Sequence, residues 1–388
     1  MSEAVASPRV LLNFVEAHQL GHAVEALRYA AGHRAAVPDA HLALVLNSAT
    51  PLELAGMCEL VDEVHGVPLY GTPAQRGRAL AAIPREWDYV LDNFRREQPV
   101  HAEVVPGFAA YYAESDRHFR ADLGRALIGR PVGQTPGYVR DQHLRLEPDA
   151  AARAHARQLL EGRAPRVALL PAGSSGRSLY PSARSWQRVL EALRARLPTA
   201  AFVLVGKLRQ DERSSSSFSR TELDALLAAQ PDAVDAFDLP LAVQLALVEA
   251  CDVFVSTHSG FGLAALAVET PWLCISGGRW PEYFFNHVPF HSVLPDPERF
   301  GRYSLYQPAP LERDDEGDGP RALHATGARI RADLDRIVDA AESLIDRRVS
   351  YGDAMRDHFA RVYCYLGDDW ETLFAVDAVH LAYRPPST

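Results

Sequence analysis

Lysine is nearly absent from this chain. Lys207 is the only one in 388 residues, and every other basic side chain is an arginine. Cysteine is scarce as well: Cys58, Cys251, Cys274 and Cys364 form no C-x-x-C pair. That spacing excludes a zinc-ribbon pattern and a disulfide framework. Cys251 and Cys274 lie in apolar runs and read as small buried hydrophobes of a reducing compartment. No stretch is apolar for long enough to span a bilayer. "VLLNFV" is too short and has the wrong flanks for a signal peptide, so a cytoplasmic protein without membrane insertion is expected. There is no excess of positive charge: the formal net charge is −10, which argues against a nucleic-acid partner. The chain also lacks a G-x-G-x-x-G after its first strand, a P-loop, an H-E-x-x-H, a strand-end D-x-D and a G-x-S-x-G elbow. Dinucleotide oxidoreductases, P-loop ATPases and nucleophile-elbow hydrolases are set aside, and no metal site and no resident cofactor are expected. Asp333 and Asp335 fall in a helical pattern and read as a solvated face.

What is present is an ordinary globular composition, 47% hydrophobic and 23% charged, in a length that suits two domains. "RVLLNFV" (9–15), "HLALVLNS" (41–48), the edge-like "VDEVHGV" and "WDYVLDNF" (87–94) read as strands. Helical spacing fills the gaps at 21–32 and, opened by Pro51, at 51–60. Residues 101–160 are more helical and polar. At Pro165 the pattern restarts. "RVALLPAGSSG" runs from a strand into a small-residue loop, and "SARSWQRVLEALRARL" carries Trp186, Val189, Leu190 and Leu193 on one helical face. Further strands are "AAFVLVGK", "CDVFVST" and "PWLCIS", with helices between them. The alternation predicts parallel α/β sheets. The expected division is 1–160, 161–348 and a helical extension at 349–388. "RQDERSSSSFSR" (209–220) and "LERDDEGDGP" (311–320) read as mobile surface loops.

Two strand-to-helix loops carry the chemistry. "PAGSSGRSLYPSARSW" (171–186) and "STHSGFG" (256–262) would both lie at the carboxyl edge of a parallel sheet, where ligands bind. They supply Gly173, Ser174, Ser175, Gly176, His258, Ser259, Gly260 and Phe261, with Arg177 and Arg184 close by. Backbone N–H groups at a helix start, hydroxyls and a guanidinium fork are what holds a pyrophosphate. The alternative for each loop is a plain N-cap and tight turn. "GRWPEYFFNH" (278–287) either lines a pocket or packs as a core lid.

As a set, these motifs resemble the ADP-heptose:lipopolysaccharide heptosyltransferases, GT-B glycosyltransferases. "QLGHAVEALRYA" occupies the place of that family's L-G-D turn, "WDYVLDNF" is similar to its later strand, and "LLPAGSSG…SARSWQRVL" is similar to its P-G-A-S turn and K-x-W helix start. "HSGFGLAALAVETP" resembles D-S-G-x-x-H-x-A-A-A-x-x-x-P. The likeness covers about residues 8–290. The departures fall on reactive positions. His22 stands where the family has the acidic residue of the turn, His258 replaces the Asp before Ser-Gly, Leu263 falls at the family's later His, and Arg184 is the nearest substitute for the missing lysine.

The resemblance implies a GT-B fold: two Rossmann-like parallel-sheet domains facing across a cleft, with C-terminal helices able to return to the first. It implies an acceptor-binding first domain and a nucleotide-sugar-binding second domain. The donor's base and ribose would meet residues 206–209, with Lys207, and 235–240, with Asp238 and Leu239. Its pyrophosphate would face the Ser259–Gly260 helix start and the 173–177 loop. His22 would take the acceptor's proton, with Glu16 and His18 as rivals that leave the same strand. The expected activity is metal-independent, inverting transfer of a sugar, of the heptose or octose class by resemblance, to a hydroxyl or thiol of a small natural product. The partners are then a nucleotide sugar as co-substrate and a small acceptor, with homo-oligomer formation left open. A sugar-nucleotide epimerase of related fold and a non-catalytic nucleotide-sugar-binding protein are the alternatives.

Overall fold

The computed structural model describes residues 7–15, 18–92, 109, 138–211, 213–277, 284–300, 310–366 and 379–383. The chain divides into two compact units. One comprises Met1–Leu146 with Glu371–Leu381, the other Glu147–Trp370 with Ala382–Thr388.

The first unit is built on β1 (Arg9–Phe14), β2 (His41–Asn47), β3 (Glu63–Val67) and β4 (Tyr89–Asp92). All pair in parallel, in the order β3-β2-β1-β4. β1 and β2 are buried along almost their whole length, as expected of strands covered on both faces. α1 (Leu20–Ala36) follows β1, and α2 (Pro73–Ala81) opens on a capping box between Thr72 and Gln75. The segment after Pro51 is a 3-10 helix, Leu52–Met57, and not the α-helix expected there. Gly56 leaves it with little helix propensity to extend.

The second unit begins with α3 (Ala150–Leu159), capped by the Asp149 carboxylate on the Ala152 amide at 2.7 Å. Its sheet contains β5 (Arg166–Leu170), β6 (Ala201–Leu204), β7 (Val234–Asp235), β8 (Val253–Thr257), β9 (Trp272–Ile275) and β10 (Phe290–Ser292). They run parallel in the order β10-β9-β8-β5-β6-β7. The helices between them are α4 (Ala183–Arg196), α5 (Arg220–Ala229), α6 (Leu241–Glu249) and α7 (Gly260–Ala267), and the short α8 (Pro297–Phe300) follows β10. Trp186, Val189, Leu190 and Leu193 of α4 are fully buried, and the Trp186 indole N–H donates to the Pro171 carbonyl at 2.8 Å. α7 is apolar all round and buried from Phe261 to Ala267.

Three polar stretches are more ordered than expected. The 311–320 segment belongs to an antiparallel hairpin, β11 (Leu311–Arg313) with β12 (Pro320–Ala322). Asp314 and Arg321 are buried in it as an ion pair of 3.0 Å, and Glu316 is buried against the start of α4, accepting from Ser182 and Ser185 hydroxyls. The serine-rich 209–220 segment is tied down by the Ser216 and Ser217 amides on the carbonyls of Lys207 and Gly173. Asp333, on α9 (Gly327–Ile345), is buried between Arg329 and Arg336 instead of solvated. In the hairpin and on α9 opposite charges neutralise one another, and in the serine-rich segment hydrogen bonds to the backbone do the equivalent, so polar groups are buried where sequence polarity alone suggests water. The chain continues into α10 (Tyr351–Leu366) and a 3-10 turn, Val379–Tyr383. Phe284 and Phe285 are core residues, while 278–283 lie outside the described residues.

Candidate functional site

In the second unit, β5 and β8 are neighbours, in register from Val167 opposite Val253 to Leu170 opposite Ser256. From β5 the chain moves outward through β6 and β7, then returns to build β8, β9 and β10 on the other side. The order reverses between β5 and β8, and an open parallel sheet leaves a crevice beyond the carboxyl ends at such a point. The two loops singled out in the sequence leave from those two strands.

After β8, the hydroxyls are used to build the turn. The Trp272 indole N–H donates to Ser256 Oγ at 3.0 Å, and Ser256 Oγ donates to the Thr257 carbonyl at 2.7 Å. Ser259 Oγ lies 3.3 Å from Ser256 Oγ, so with Ser256's proton engaged it is the donor of that pair. Ser259 Oγ also accepts from the Gly262 amide at 3.1 Å and caps α7. Gly262 is required by packing: a Cβ there would come within 2.2 Å of the Trp272 ring. What the turn leaves over is different. Among the described residues, the amides of Ser259, Gly260 and Phe261 have no acceptor, as first-turn donors lack one by geometry. Thr257, 6% exposed, has a buried Oγ1 with no hydrogen-bond partner among the described residues.

After β5, the 171–176 loop is held from several sides. The Ser175 amide donates to the Tyr180 hydroxyl at 3.2 Å, and burial raises that phenol above its ordinary range, so it stays protonated. Ser217 donates its amide to the Gly173 carbonyl at 2.8 Å, Ser216 Oγ donates to that of Ala172 at 2.7 Å, and the buried Ser217 Oγ has no partner among the described residues. Arg321 of the hairpin donates to the carbonyls of Arg177 and Tyr180. Gly173, Ser174 and Ser175 therefore sit on a braced loop beside β8. Arg177 is engaged by Glu222 at 2.7 Å and Asp318 at 3.5 Å, whereas Arg184, in the first turn of α4, is exposed.

Lys207 follows β6 and pairs with Asp211. Asp238, at φ 60°, accepts the amides of Leu208 and Arg209 at 2.9 Å each, and so joins the two segments expected to meet base and ribose. Gln244, buried and not anticipated from the sequence, bonds both the amide and the carbonyl of Gly206 and the carbonyl of Leu239. His258 follows β8 directly.

The first unit has its own reversal of strand order, between β1 and β4. α1 starts just after β1 and places His22 in its first turn, with Nδ1 3.1 Å from Glu25 Oε2. His18 Nδ1 lies 3.0 Å from the hydroxyl of Tyr70, with the rings edge to face. Burial, then the neighbouring His22, hold the His18 imidazole below its ordinary pKa. Tyr70 is 68% exposed. Glu16 lies outside the described residues. His22 and His18 are thus brought together, and Glu25 and Tyr70 join them.

No protein-family model matches the sequence, and no curated protein matches it. Solved structures do. The glycosyl transferase family 9 protein of Veillonella parvula DSM 2008 superposes with a TM-score of 0.57 at 13% identity, over 89% of this chain and 100% of the other. The E. coli ADP-heptose LPS heptosyltransferase II superposes with a TM-score of 0.52 at 14% identity, over 88% of this chain and 100% of that one. The resemblance read from the motifs therefore holds at the level of the fold: the chain is a mixed α/β protein with parallel sheets and carries the fold of these GT-B glycosyltransferases.

Proposed function

We propose that the chain is a glycosyltransferase that binds a nucleotide-diphosphate sugar at the carboxyl edge of the second sheet, between β5 and β8. One observation carries this reading: at the reversal point, three amides of the α7 start and the Thr257 hydroxyl are left without acceptors or donors of their own. Those are the groups a diphosphate satisfies. The α7 dipole adds to them, and the exposed Arg184 is the arginine best able to move to a phosphate. The likeness in fold to a heptosyltransferase supports a heptose-class sugar on the donor.

In the proposed reaction the acceptor's O–H or S–H proton passes to His22 Nε2. The freed electron pair bonds the anomeric carbon, and the bond from that carbon to the diphosphate oxygen breaks. A single displacement inverts the configuration. Negative charge grows on the departing diphosphate, and preorganised amides stabilise it without having to reorient. The test is incubation with ADP-, GDP- and UDP-sugars, reading thermal unfolding and donor turnover. At least one nucleotide sugar should raise Tm in a concentration-dependent way and be consumed faster with a suitable acceptor. His22→Ala should cut turnover by about 10²-fold or more with little change in the thermal shift. No stabilisation by any of them would reject the reading.

A further inference from the structure

The buried carboxylate of Glu25 has no part in the family resemblance, and its position calls for one. Its side chain is only 4% exposed, while that of His22, three residues earlier on the same face of α1, is 39% exposed. Among the described residues, the partner of this carboxylate is His22 Nδ1, at 3.1 Å. Valine and alanine neighbours on α1, Val24 and Ala26, are fully buried and hold the helix against the sheet, so the carboxylate is fixed while the ring reaches outward. An acceptor-only carboxylate requires a proton on the nitrogen facing it. Facing such a carboxylate, a neutral ring would carry its proton on Nδ1 and leave the Nε2 lone pair facing away from Glu25. The nearby charged and titratable groups do not compete for this contact: Arg28, one turn on, donates to the Gln142 carbonyl, and His18 is joined to Tyr70.

We propose that Glu25 is a positioning residue that holds His22 as the Nδ1–H tautomer with Nε2 free, and that stabilises the imidazolium formed when Nε2 takes a proton. The proposal rests on the reading of His22 as the general base, and it explains how an imidazole can work where the resembling family has a carboxylate. In the step itself the acceptor proton moves to Nε2, the positive charge spreads over the ring, and the Nδ1 proton stays on the ring.

The test joins a spectroscopic and a kinetic measurement. In ring-15N-labelled protein at pH above the imidazole range, with His22 assigned by its loss in His22→Ala, Nδ1 should be protonated and Nε2 bare. Glu25→Gln should shift the ring toward the Nε2–H form and lower kcat by about 10²-fold with donor affinity within about twofold. In the His22→Ala background the same change should cost nothing further, as expected of residues that act as a unit. An Nε2–H ring in the wild type overturns the proposal without any variant being needed. So does a Glu25→Gln loss that persists in His22→Ala, which marks a structural role. If His22→Ala leaves turnover intact, the base assignment fails, while the tautomer still decides whether Glu25 controls the ring.

Discussion

Thr257 gives the sharpest residue-scale consequence, because the proposed diphosphate site would give its hydroxyl opposite effects on the free and the bound protein. A buried hydroxyl without a partner costs about 1–3 kcal/mol, and Thr257 Oγ1 is such a group. Thr257→Val keeps the shape and removes the hydroxyl. Urea unfolding of the variant should show stability unchanged or raised by about 1 kcal/mol, while calorimetry should show nucleotide affinity reduced about five- to thirtyfold. A variant that loses stability and binds normally would place the hydroxyl in a packing role. The sequence made the 256–262 stretch visible, because three small polar residues and a Gly-x-Gly interrupt two apolar runs. It could not show which groups face inward. Ser256 and Ser259 bond each other and the turn, and Gly262 answers to Trp272. Glu25 was not legible at all, since a glutamate in a helical pattern reads as exposed until its burial beside His22 is known.

At the scale of elements, the acidic hairpin braces the loop that follows β5. Arg321 links Asp314 and Asp318 to the carbonyls of Arg177 and Tyr180. Arg321→Ala should lower stability by about 3–5 kcal/mol, because it leaves Asp314 buried and uncompensated. The loss should appear in the urea midpoint, and an effect below 1 kcal/mol would show the hairpin to be an accessory. Gly262→Ala drives a methyl into the Trp272 ring and should cost about 1–3 kcal/mol by overpacking, measured the same way. The regular elements were mostly legible, since buried parallel strands are continuous apolar runs and α4 shows its face in Trp186, Val189, Leu190 and Leu193. The hairpin and the 209–220 segment were not, because ion pairs and serine-to-backbone bonds bury polar residues in a way composition cannot reveal.

At the scale of the whole molecule, several histidines set the response to acid. Burial lowers His18, His65 and His291 below the imidazole value, and His324 falls to about 4 through burial and the nearby Arg329. The native pKa lies below the unfolded one, so between pH 6.5 and 4 the unfolded chain binds a proton that the native His324 refuses. Stability is therefore full above pH 6.5 and falls as pH drops through that window, by roughly 2–3 kcal/mol for His324. Unfolding midpoints at pH 7 and pH 4.5 should differ less in His324→Asn than in the wild type, and equal slopes would refute the assignment. Two α/β halves were legible from the restart at Pro165, but the adjacency of β5 and β8 was not, because strand order is a property of topology and not of local pattern. That adjacency turns two separate loops into one edge, and the central claim is that a diphosphate sits there. The most direct measurement is a titration of 15N-labelled protein with nucleoside diphosphates, following the assigned amides of Ser259, Gly260 and Phe261. The account predicts that these three move together and saturate at the affinity found by calorimetry. Saturable binding that leaves them in place and moves amides elsewhere would contradict it.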